Sequence, residues 1–348
     1  MATLVPPDAG LLRQRLRLRR MLPLLVAVLA IAVVSMGLGH YPLAPGAVLE
    51  VLWSALTGTP STQPPAAGNV LLAVRLPRVL AALLVGASLA AAGAAYQTLF
   101  RNPLASPALL GVSAGAGFGA SLAMLLHGSA LLVQGSAFAG GIAAVAAALL
   151  IASRLGRGSA LVLILSGLII SALFQALTSS LKYVADPLDT LPAIVFWLLG
   201  GLGRVSMADL AWAAPFSLAG IAIMLLLRWP TQVLEAGDEE ARTLGIRVQP
   251  VRLLMIAAAT LTTAAAVSIS GVVGWVGLLV PHLARLVVGP AYTVLLPASI
   301  LTGAGYLLLV DDLCRTAFRL ELPLGIATAV LGAPVFVAVL LRARRQWS

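Results

Sequence analysis

Apolar residues in this chain run in long blocks with no regular polar alternation, and the blocks are separated by short clusters of Arg, Gly and Pro. A hydrocarbon layer about 30 Å thick is crossed by roughly 20 apolar residues of α-helix, so each such block predicts a spanning helix. Segmentation at the breakers gives ten candidates: 20–38, 72–98, 107–126, 134–153, 160–182, 206–227, 250–269, 275–287, 294–311 and 324–342. The eighth is short, and 191–202 reads as a broken or re-entrant helix, which needs protein or a cavity around it. The Pro-, Thr- and Gly-rich stretch from His40 to Asn69 carries one charge, Glu50, and reads as an external loop with a short helix.

Basic residues lie unevenly along this pattern. With the N-terminus in the cytoplasm, sixteen of the twenty-two Lys and Arg residues fall in inside segments. Arg75, Arg78, Lys182, Arg204, Arg315 and Arg319 fall outside. The bias supports cytoplasmic termini and an even number of crossings. The domain map is then a basic tail (1–19), one transmembrane domain (20–342) with a cytoplasmic loop at 229–251, and a short tail (343–348).

Composition agrees with that solvent. Of 348 residues 60 % are apolar and 10 % charged, against about 25 % charged in soluble domains. Net charge +10 would suggest nucleic acid in a soluble protein, but here the arginines flank apolar runs, and no nucleic-acid partner is expected. Cys314 is the single cysteine, which excludes an intrachain disulfide. Five arginines before the apolar run from Met21 resemble a signal peptide, but that run is long and no Ala-x-Ala follows promptly, so an uncleaved first helix is expected.

Residues for chemistry are scarce. The acidic residues fall in tails, loops or span ends, which leaves a proton relay without members. His40, His127 and His282 have no metal-ligand spacing, so neither a catalytic nor a metal site is predicted. The Gly-x-x-x-x-Gly-Lys-Ser/Thr loop is absent and Lys182 is the only lysine, so the chain is not an ATPase. Gly111, Gly115 and Gly119 recur every fourth residue, and Gly271, Gly274 and Gly277 every third. Such spacing serves close helix packing; Gly111, Ser113 and Gly115 are also candidates for a translocation path.

The loop at 229–251 contains Gly237-Asp238-Glu239-Glu240-Ala241-Arg242-Thr243-Leu244-Gly245. Asp238 suits a helix cap, Glu239 and Glu240 suit the positive N-terminal end, and Gly245 suits closure. The short helix so predicted is either a docking peg or a solvated loop helix.

The motifs extend nearly the length of the chain: Arg75-Leu76-Pro77-Arg78; Gln97 with Phe100-Arg101-Asn102-Pro103-Leu104-Ala105; Leu110-Gly111-Val112-Ser113-Ala114-Gly115; Phe196-Trp197-Leu198-Leu199-Gly200. They continue through Gly237 to Gly245, Gly277-Leu278-Leu279-Val280-Pro281-His282-Leu283-Ala284-Arg285, Glu321-Leu322-Pro323-Leu324-Gly325 and Gly332-Ala333-Pro334. In these the chain resembles the FecCD family of bacterial ABC importer permeases for iron-siderophores, haem and vitamin B12. The resemblance implies an all-α, vitamin B12 importer-like (type II ABC importer) permease of ten helices in the bacterial inner membrane. It implies a homodimer around a central path, two cytoplasmic ATPase subunits that bind ATP and Mg, and a periplasmic or lipid-anchored binding protein.

By the same resemblance, Asp238 to Gly245 sit in a groove of the ATPase, and Arg75, Arg78 and Arg315 face outward to grip glutamates of the binding protein. Snorkelling at the interface is the plain alternative for these arginines. Two departures stand out: Ala291-Tyr292-Thr293 replaces a common acidic and basic pair, and Asp311-Asp312 replaces a single Asp. A secondary transporter or channel is the rival reading; it calls for coupling-ion residues at mid-span or an inverted repeat, and neither is evident.

Overall fold

A computed structural model describes residues 21–39, 41–156, 160–317 and 320–344. The basic tail at 1–19 therefore lies outside the described residues, as does most of 343–348. Every regular element among the described residues is helical. In chain order they are α1 (Met21–Gly37), α2 (Pro45–Thr57), α3 (Pro65–Leu99), α4 (Val112–Leu125), α5 (Ala130–Leu155), α6 (Ala160–Val184) and α7 (Thr190–Leu199). There follow α8 (Met207–Leu226), α9 (Arg228–Ala236), α10 (Asp238–Thr243), α11 (Val248–Ser270), α12 (Val276–Val288), α13 (Tyr292–Thr316) and α14 (Leu324–Arg344).

Each predicted span is occupied by a helix, with differences at the ends that have local causes. Pro65 starts α3 well before residue 72, because proline fits the first helical turn, and a π-helical stretch at Val70–Arg75 carries the helix on. The third span opens with a 3₁₀ turn, Pro107–Leu110, and then breaks at Gly111, whose φ of 87° is open to glycine. Ser129 caps α5 by accepting from the Leu132 amide, and Ser206 with Asp209 forms a reciprocal capping box on α8. The broken segment is the ten-residue α7, about 15 Å long and too short to cross. Its end is covered: Gly201 N–H donates to the Ser270 carbonyl and Leu324 N–H to the Gly200 carbonyl, which joins α7, α11 and α14.

Among the described residues, six helices are long and apolar enough to cross a membrane: α3, α5, α6, α8, α11 and α13. α1, α4, α7, α12 and the Leu324–Ala338 part of α14 are shorter apolar helices. α3, α11 and α13 form the centre. α3 packs on α13, α11 and α12, while α11 packs on α8 and α5. Burial separates centre from rim: 78 % of the apolar window of α11 is buried, against 28 % for α6. Small residues permit the central contacts, and Gly86 of α3 faces Gly303 of α13 with no room for a Cβ on either.

In the loop between α1 and α3, Glu50 of α2 holds the chain that follows. Its carboxylate accepts from the Thr62 amide at 2.6 Å, the Thr62 hydroxyl at 2.7 Å and Gln63 Nε2 at 2.8 Å. These bonds, led by Gln63, lower its pKa from 4.5 to about 2. A depressed carboxylate pKa means that the contact is fully present above the ordinary value and is lost as pH falls toward the depressed one. The protection factor of the Thr62 amide, its exchange corrected for the intrinsic pH dependence, is therefore expected to hold down to about pH 4.5 and to fall progressively between there and about pH 2. Glu50→Ala should leave that amide unprotected at every pH; an unchanged protection factor in that variant would refute the clamp.

Candidate functional site

The short helix expected in the 229–251 loop is α10, and its closure follows the sequence reading. Gly245 takes φ 78°, its amide donates to the Arg242 carbonyl, and the Ile246 amide donates to the Ala241 carbonyl. That pair of bonds is a Schellman motif, and glycine suits its left-handed position. The start differs from expectation. Gly237 holds the N-cap position and Asp238 is the first helical residue, so Asp238 does not cap. Its carboxylate is taken by Arg101 at 3.1 Å and Arg252 at 2.9 Å.

Arg101 reaches that carboxylate because of how α3 ends. The Arg101 amide donates to the Thr98 carbonyl and the Asn102 amide to the Gln97 carbonyl, which is again the Schellman pattern, here with Arg101 itself at φ 48°. Asn102 Oδ1 then accepts from the Leu104 amide, so the turn is held on both sides. The Arg101 guanidinium also donates to the Leu234 carbonyl at 2.9 Å, and Gln232 accepts from the amide and hydroxyl of Thr293. The α9–α10 unit is thus fastened to the ends of α3, α11 and α13.

Its outer side is free. Ala241 is fully buried, whereas Glu239, Glu240, Arg242 and Leu244 are exposed, Leu244 by 61 %. An exposed leucine ringed by charges on a rigid mount is suited to a protein groove. Beside it, partial desolvation raises the pKa of the surface residue Glu235, with Arg285 and Arg101 opposing.

At the opposite end the three arginines expected to face outward are held by partners within the chain. Arg75, Arg78 and Arg315 are buried, with 5 %, 8 % and 6 % exposure, and do not present free outward charge. Arg78 clasps Asp311 with Nε at 2.8 Å and Nη2 at 3.1 Å, and donates from Nη1 to Glu321 at 2.9 Å. Arg315 pairs with Asp312 and donates to the Ser35 and Leu38 carbonyls of α1 and its exit. Arg75 donates to the carbonyls of Met36, Gly37 and Tyr41. The physical reason is desolvation, since a guanidinium inside a helix bundle has to be paired and hydrogen-bonded. These arginines tie α1, α3 and α13 together.

Sequence reasoning missed Asp311, Asp312, Glu321 and Ser35 as their partners. Only the i,i+3 and i,i+4 spacing of Asp312 and Asp311 to Arg315 carried a signal. The path candidates also separate. A Cβ on Gly115 would strike the Gly140 carbonyl of α5, and one on Gly111 would crowd Ser171 of α6. Both are buried packing positions in this chain, and Ser113 is half-buried. Gln175, Ser179 and Ser180 of α6 are polar residues on an exposed face of that helix.

The fold and this mounted surface helix define a multi-pass membrane permease. The chain belongs to the FecCD transport family, whose sequence model matches residues 25–342. It is 39 % identical over 315 residues to the molybdate import system permease of Haemophilus influenzae, covering 90 % of this chain and 93 % of that one. With the hemin transport system permease of Yersinia pestis it shares 37 % over 345 residues, covering 97 % and 99 %. Among solved structures it matches an inward-facing metal-chelate type ABC transporter with a TM-score of 0.84 and 37 % identity, over 92 % of this chain and 98 % of that one.

Proposed function

We propose that this chain is the membrane subunit of an ATP-driven importer and works as a homodimer with two cytoplasmic ATPase subunits and a periplasmic or lipid-anchored binding protein. Its cargo is an iron-siderophore or a similar metal chelate such as haem or cobalamin, moved by alternating access. The observation that carries this reading is α10, an exposed helix fastened through Asp238 to Arg101 and Arg252. Such a mount carries a push on α10 into α3 and α11 with little slack. The chain has no phosphate-binding loop of its own, so ATP and Mg belong to the partner.

The open polar stripe on α6 supports a water-facing path beside a second copy, because Gln175 against lipid would be costly. Both termini lie in the cytoplasm, on the side of α10, in keeping with the bias of basic residues. A molybdate-type oxyanion is the second cargo reading, favoured by the Haemophilus influenzae relative. Uptake assays offering ferric chelate, haem, cobalamin and molybdate in parallel decide the cargo.

The test of the mount uses vesicles containing the whole transporter. Leu244→Arg and Glu240→Lys change only exposed side chains, so the permease should stay folded. Uptake per ATP hydrolysed is expected to fall roughly tenfold, within the usual range of coupling free energies. An unchanged ratio in both variants would exclude α10 as the ATPase contact.

A further inference from the structure

A cavity of about 330 Å³ opens at the end of the bundle that carries α9 and α10, between the ends of α3, α5, α6 and α11. Its size falls at the lower edge of cavities that hold small molecules, roughly 300–1,000 Å³. Leu149, Leu163, Leu253 and Ile256 form apolar walls, and Gln249 and Arg252 form a polar rim. The neighbouring surface is apolar as well, with Leu155 exposed by 72 % and Leu161 by 65 %. A water-soluble anion would find only the rim useful; an amphiphile matches both parts.

Charge at this end favours an anion. Among the described residues, the helix ends and loops from Arg101 to Arg285 at this end carry seven arginines (101, 154, 228, 242, 247, 252 and 285) and four carboxylates (235, 238, 239 and 240), and Arg252 is the one of them that lines the cavity. Asp238 is shared between Arg101 and Arg252, so the two guanidiniums meet a single carboxylate there. The surplus is positive where Arg252 borders the cavity.

We infer that this cavity is a binding site for one anionic phospholipid of the cytoplasmic leaflet. Part of an acyl chain lies between Leu163 and Ile256, and the phosphate meets Arg252 and Gln249. The leaflet assignment rests on the orientation proposed above; the cavity and its charge do not. The site is one ion pair away from α10, so its occupancy bears on the same arginine that steadies the docking helix.

The test is native mass spectrometry of the purified full chain offered equal amounts of phosphatidylglycerol and phosphatidylcholine. One retained phosphatidylglycerol per chain is expected, preferred by roughly fivefold, the value of one arginine near an anionic headgroup. Arg252→Gln should bring the preference close to unity. Leu253→Trp, at a half-exposed lining position, should block the cavity and release both lipids while leaving the melting temperature near that of the unaltered chain.

Unchanged preference in Arg252→Gln, or lipid retained by Leu253→Trp, would overturn the site. Displacement of phosphatidylglycerol by millimolar inorganic phosphate would assign it to a free anion instead. Loss of a dimer in Leu253→Trp would assign the cavity to a second copy. Labelling of Gln249→Cys from outside intact cells, with Cys314 replaced, would overturn the leaflet assignment while leaving the lipid count intact.

Discussion

Arg78→Ala is expected to destabilise the chain by about 3 kcal/mol, because it strands a buried carboxylate. Asp311 is 1 % exposed and takes two of its hydrogen bonds from Arg78. Without that guanidinium its nearest cation is Arg315 at 3.9 Å, a contact too long to replace a bidentate pair. The bond from Arg78 to Glu321 contributes far less, since the Glu321 side chain is 55 % exposed and its pair is screened by water. Glu321→Gln should therefore cost under about 1 kcal/mol.

Removing both charges tests the cause. The double variant Arg78→Met, Asp311→Leu leaves no unpaired charge at these two positions and is expected to recover most of the loss, as replaced buried pairs commonly do. Denaturant unfolding in detergent, followed by tryptophan fluorescence, compares all three variants with the unaltered chain. A change under about 0.5 kcal/mol in Arg78→Ala, the size of an ordinary surface substitution, would refute the buried-pair account.

How far the sequence discloses this structure depends on the range of each interaction. The spanning helices are legible because an apolar run is a local property, and even the short α12 and the interrupted α7 fall where the breakers place them. The closure of α10 is legible because Gly245 acts on residues within one turn. The opposite holds for the arginine cluster. Arg78 and Asp311 are 233 positions apart, and nothing local to either tells a paired, buried guanidinium from one at an interface. Arg101 shows the same limit from another side: glycine is the expected residue at a left-handed helix end, and an arginine there is recognisable only once its reach to Asp238 is seen.

Glycine spacing is the intermediate case, because regular spacing announces close packing without naming the partner. Gly277 approaches α3 at Leu89, whereas a Cβ on Gly274, in the same run, would meet open space. Similarly, the Gly111–Gly115 spacing brings those two residues into contact with α6 and α5.

That distinction sets the last expected result. Gly93→Val should destabilise by about 3 kcal/mol, the upper part of the range for overpacking a core. The atoms in its way are the backbone of Gly277 in α12, which cannot rotate aside as a side chain would. One turn further along α3, Gln97 Nε2 donates to the Leu278 carbonyl at 3.1 Å, so separating the helices to admit a side chain also breaks that bond. Gly86 meets Gly303 two turns earlier on α3, and a helix displaced at Gly93 loosens that seam as well. Gly135→Ala in α5 is the counterpart: a Cβ there meets nothing within 4 Å, so the change should stabilise by up to about 1 kcal/mol through helix propensity. Opposite signs at these two glycines, measured by the same unfolding experiment, would separate seam from spacer; a loss of equal size at both would show that backbone contact is not what the glycines provide.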